Sequence, residues 1–102
     1  MTERQEKLLH LLTETPNDTF LLFAMGLEMV KENDDNKALE FFKKILAVDE
    51  NYCALYYHLG KLYERQQHEQ IAMSVYEKGL VICKKLNEQH NYNELRNALD
   101  ML

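Results

Sequence analysis

Two cysteines and four histidines are the residues of this 102-residue chain best suited to chemistry. A thiolate can attack an electrophile, and thiolate or imidazole can hold a transition metal. Both roles require partners at defined spacing. His10, His58, His68 and His90 are scattered, with no second His or Cys at ligand distance along the chain. Cys53 and Cys83 form a single pair in a chain that opens on Met1-Thr2-Glu3-Arg4-Gln5-Glu6, polar and without a signal-peptide core. They read as reduced thiols buried in helices, small core fillers rather than a disulfide or nucleophiles. There is no glycine-rich phosphate loop, no Ser/His/Asp or Cys/His signature and no purposeful acidic pair. The expectation is a protein without catalysis, metal or cofactor.

What remains is recognition chemistry. Phe20, Phe23, Leu27 and Val30 recur at spacings of three, four and three, an apolar stripe along one side of a helix. A second stripe in the same segment, Leu22, Met25, Gly26 and Met29, is available to pack on neighbouring helices. A surface helix normally carries one such stripe, so something should cover the other. A foreign peptide, a second copy of the chain and the chain's own N-terminal helix all fit that need.

The bulk composition narrows the partners. Hydrophobic residues make up 46% and charged residues 28%, within the range of folded globular proteins. A net charge of −5 disfavours nucleic acid, whose phosphates call for surplus Lys and Arg. No apolar run approaches the roughly 18 residues of a membrane-spanning helix. The expected location is the cytoplasm.

Three Gly and one Pro are too few for the turns of a β fold, so the expected class is all-α. Gly26 and Gly60 lie 34 residues apart, and their surroundings repeat at that offset. Leu22, Met25 and Met29 answer to Tyr56, Leu59 and Tyr63, and Ala38 and Phe42 answer to Ala72 and Tyr76. A period of this length marks two copies of one supersecondary unit. Glycine inside a helix costs about 1 kcal/mol against alanine, so its recurrence implies close helix approach. The stretches expected to be helical are Thr2–Thr13, Asp18–Glu32, Asn36–Val48, Tyr52–Gln66 and Glu69–Leu86, with a last helix ending near Leu102. Thr2 with Gln5 has capping-box spacing, and Asn17 and Asn51 are placed to cap the helices that follow. Asn33-Asp34-Asp35-Asn36 suits a left-handed turn; Gln66-Gln67-His68 occupies the same place without a residue that favours one. Asn87–Tyr92 reads as a frayed extension or loop, with Asn91 or Asn93 as cap of the final helix.

Tyr56-x-x-Leu59-Gly60-x-x-Tyr63 followed by Ala72-x-x-x-Tyr76 resembles the tetratricopeptide repeat. Leu22-x-x-Met25-Gly26-x-x-Met29 followed by Ala38-x-x-x-Phe42 is similar with substitutions, and Pro16 stands where the signature closes a preceding half-repeat. Glu50 replaces the proline expected one period later. The resemblance implies stacked antiparallel helix pairs, about six helices in a single domain: a half-repeat over 1–18, repeats over 19–52 and 53–86, and a capping helix over 87–102. It also implies a concave groove lined by the first helix of each pair. Carried onto this chain, that groove presents Phe20, Phe23, Leu27 and Val30 beside Tyr57, Lys61 and Arg65. Some members hold the terminal carboxylate of chaperones with groove Lys and Asn residues. Phe23, Leu27 and His58 stand at those places here, so that clamp is not expected. The implied function is binding of a protein or peptide, with homo-oligomerisation through the apolar stripe as the alternative.

Residues 19–52 carry four Lys/Arg against seven Asp/Glu, and residues 53–86 carry five against three. A ligand apolar over the first repeat and acidic near Lys61 and Arg65 would complement that gradient.

Overall fold

The computed structural model describes Met1–Leu102 as six helices and no strand. They are α1 Glu3–Glu14, α2 Thr19–Lys31, α3 Asp35–Val48, α4 Leu55–Arg65, α5 Glu69–Lys85 and α6 Gln89–Asp100. Packing divides them into two compact units, Met1–Glu50 and Asn51–Leu102.

In the first unit α2 packs on α3 and on α1. The expected capping box holds α1: the Thr2 hydroxyl accepts from Gln5 N at 3.1 Å, and Gln5 Oε1 accepts from Thr2 N at 3.3 Å. Two expected caps are displaced. Asp18, not Asn17, caps α2 by accepting from Leu21 N at 3.2 Å. In the second unit α4 starts at Leu55 rather than near Tyr52, after a turn through residues 51–54, and its cap position is Ala54, which makes no side-chain cap bond, rather than Asn51.

The glycines explain how α2 meets α3 and α4 meets α5. A Cβ at Gly26 would sit 2.6 Å from Cδ1 of Phe42, and one at Gly60 would sit 2.6 Å from Cδ1 of Tyr76. Each large ring fills the notch that the missing side chain leaves, and both rings are wholly buried. Gly79 does the same on α5, where a Cβ would lie 2.6 Å from Tyr56 Cβ and 2.9 Å from Leu95 Cδ1. One bare position thus lets both α4 and α6 approach α5.

Helices α2, α4 and α5 end alike. Asn33, Gln67 and Asn87 take φ near 60°, and the next residue's N–H reaches back to Met29, Tyr63 and Cys83 O at 2.8–2.9 Å. The Asn33 turn was expected. Gln67 adopts the same conformation without the compensation that Asn or Gly brings. Asn87 corrects the reading of 87–92 as a frayed extension or loop: it closes α5, and α6 begins at Gln89 with Glu88 as cap position rather than Asn91 or Asn93.

The cysteines are the clearest departure. Cys53 lies in the turn before α4, not in a helix, and is disulfide-bonded to Cys83 near the end of α5. Antiparallel pairing sets the start of α4 beside the end of α5, with Cα atoms 5.6 Å apart, inside the range of about 4.4–6.8 Å that a disulfide needs. Compartment and cysteine count carry no information about that distance.

Candidate functional site

Helix α2 is gripped on two opposite sides. Gly26 meets Phe42 of α3, and Glu28 meets Arg4 of α1 at 3.2 Å. At roughly 100° per residue these positions lie on opposite sides of the helix, so two faces remain between them. One carries the predicted stripe. Phe20 is 71% exposed, and Phe23, Leu27 and Val30 are half-buried. The Phe23 ring leans on Phe42 with centroids 6.0 Å apart. So α1 does not cover the stripe, and one of the three readings of it falls away. The opposite face carries Met25 and Met29, both buried.

Glu28 was not foreseen as anything but a helix residue. It is only 7% exposed. Burial would raise its carboxyl, but the charge of Lys31 and hydrogen bonds from Arg4, Lys31 and Gln5 outweigh that and hold it below the usual carboxylate range. The partners on α1 lie outside the repeat, so no periodicity announces them.

In the second unit α4 presents Tyr57, half-buried, with Lys61 and Arg65 exposed. Lys61 is not a loose charge. Its ammonium stands 5.6 Å from the Tyr57 ring centroid and 3.5 Å from Glu64 Oε2. Glu64 in turn accepts a hydrogen bond from the Tyr76 hydroxyl. Burial and then that carboxylate push the Tyr76 phenol far up, so it remains the donor. The surface lysine is thereby tied to the ring that fills the Gly60 notch. One period earlier Val30 and Phe42 stand where Glu64 and Tyr76 stand here, an apolar pair in place of a polar one.

Helix α6 adds residues that the sequence reading left out. Glu94, Asn97, Ala98 and Met101 join Tyr57 and Lys61 around a cleft of about 250 Å³. His58, beside Tyr57, is held below the usual imidazole range by burial, partly opposed by Glu94. No group of His, Cys, Asp and Glu is arranged to hold a metal ion. No helix is long and apolar enough to cross a membrane.

No protein-family model and no curated protein sequence matches the chain. Solved structures do. A tetratricopeptide repeat domain protein from Salinibacter ruber is 33% identical; its crystal structure superposes with a TM-score of 0.76 over 80% of this chain and 91% of that one. The solution structure of a Salinibacter ruber tetratricopeptide repeat domain protein gives 0.77 at 33% identity, over 82% and 85%. A Bordetella parapertussis protein solved in solution is 24% identical and shares the fold, with a TM-score of 0.86 over 99% of this chain and 88% of its own. Glycine–aromatic notches at a fixed period, all-helical architecture and this identity over most of both chains agree: the protein belongs to the tetratricopeptide repeat family.

Proposed function

We propose that this chain is a protein-binding module of the cytoplasm with no chemistry of its own. It is organised as a single domain, a half-repeat over 1–18, repeats over 19–52 and 53–86 and a capping helix over 87–102. The observation that carries the reading is the α2 stripe, where Phe20, Phe23, Leu27 and Val30 share one face and Phe20 is 71% exposed. Apolar surface of this kind on a folded protein marks a contact site. Repeat folds of this family generally mediate protein–protein interaction. The ligand is a peptide or peptide-like segment that sets apolar side chains on the α2 stripe. In the second unit Tyr57, Lys61 and Arg65 on α4 are a candidate contact of their own, with α6 walling the cleft beside Tyr57 and Lys61.

The test is a peptide-display selection repeated on Phe20→Asp and Tyr57→Ala. Phe20 is exposed and Tyr57 half-buried, and circular dichroism of each variant checks that the fold survives. Loss of enrichment in both variants supports the site, and enrichment that persists in both moves it elsewhere. Sedimentation of the parent at micromolar concentration checks the rival occupant: a tight dimer dispersed by Phe20→Asp would give the stripe to a second copy.

A further inference from the structure

The opposite face of α2 is packed, with Met25 2% and Met29 5% exposed, but an opening lies above it. Helices α1 and α3 both pack on α2, and far more on it than on each other. The gap between them is a cleft of about 500 Å³, floored by Met25 and Met29 and walled by Leu9 and Phe41. At roughly 100° per residue, its floor lies about 160° around α2 from the centre of the Phe20–Val30 stripe. It is therefore a surface separate from the one proposed above.

Its rim is charged in one sense. Among the lining side chains Glu32, Asp34 and Glu40 are anionic and Lys37 cationic, with Met1 also at the edge. Asp34 spends one oxygen on Lys37 N, at 3.2 Å, as the cap of α3. Glu32 and Glu40 are exposed and make no ion pair. The wider field agrees. Met1–Glu50 carries six Lys/Arg against eleven Asp/Glu, net −5, whereas Asn51–Leu102 carries six against six. All of the protein's excess negative charge belongs to the unit that holds this cleft. Unbranched methionine side chains can re-form around apolar groups of different shape, which suits a floor that receives a side chain.

We propose that this cleft docks a partner protein through one large apolar side chain on a basic helical segment. The anchor enters between Leu9 and Phe41 onto the two methionines. Lys or Arg one turn away meets Glu32 and Glu40. Such a surface would let the module hold a second protein while the α2 stripe is occupied.

The probe is a labelled helical peptide with one Leu flanked by Lys one turn to either side. Polarisation should saturate, and the methyl NMR signals of Met25 and Met29 should move as it binds. Glu32→Lys with Glu40→Lys, both at exposed positions, should weaken binding about tenfold, as expected for reversing two exposed ion pairs. A peptide with Ser in place of Leu should not bind, and Phe20→Asp should bind as the parent does. Unmoved methionine signals, or affinity unchanged by the double reversal, overturns the proposal. So does loss of binding in Phe20→Asp, which would assign the peptide to the stripe and leave the first reading standing.

Discussion

Gly60→Ala isolates the notch on which the second unit closes. The new methyl would lie 2.6 Å from both Cδ1 and Cζ of Tyr76, and nearer still to Cε1, where ordinary contact begins at 3.4 Å. The ring cannot step aside cheaply. Tyr76 is completely buried, and its hydroxyl is held by Glu64, which Lys61 holds in turn. Alanine gains about 1 kcal/mol of helix propensity over glycine. Overpacking a core costs about 1–3 kcal/mol, and a clash with an anchored ring belongs at the upper end. The net expectation is a loss of about 2 kcal/mol, a fall in Tm of roughly 8–16 °C for a domain of this size. Circular dichroism at 222 nm during thermal and urea unfolding reads both quantities. Tyr76→Leu in the same chain should recover part of the loss, because it removes the ring that the methyl strikes. Gly60→Ala melting at or above the parent would refute the notch and leave the recurrent glycines without a packing reason.

Two further outcomes follow from single residues. Gln67→Gly should raise stability by about 1 kcal/mol, since the left-handed conformation costs an ordinary residue roughly that much; an unchanged Tm would mean that the turn carries no strain. Glu28 is held below its usual pKa of 4.5 in the folded state, so the unfolded chain binds more protons there. Its contribution is present above that pH and is lost as the pH falls below it. Glu28→Gln should therefore flatten the acid side of the stability curve, and a slope below pH 4.5 as steep as the parent's would remove that role.

The parts of the fold that repeat were legible, because a repeat supplies its own control. Gly26 with Phe42 and Gly60 with Tyr76 stand at one offset in the sequence, and close approach of the helices follows from the cost of glycine. Five of the six helices came within a few residues of their observed bounds. The α2 stripe was legible for the same reason: one face was already committed to packing. What broke the period was not legible. Helix α5 runs to Lys85, although the counterpart of α3's last residue, Val48, is Ile82. Helix α6 therefore leaves the 34-residue frame, and Glu94, Asn97 and Met101 could not be aligned to groove positions. Glu28 was hidden because its partners Arg4 and Gln5 belong to α1, where no repeat points. The signal for α6 was present in Asn87, which closes α5 as Asn33 closes α2.

The Cys53–Cys83 bond changes what a cut in the backbone can do. A protease that nicks the turn at 66–68 leaves α4 and α5 on separate polypeptides, yet the bond still ties them end to end. The nicked protein would migrate as one band until a reductant is added. The α4 surface bearing Tyr57 and Lys61 would thus stay tethered to its scaffold after the chain itself is broken.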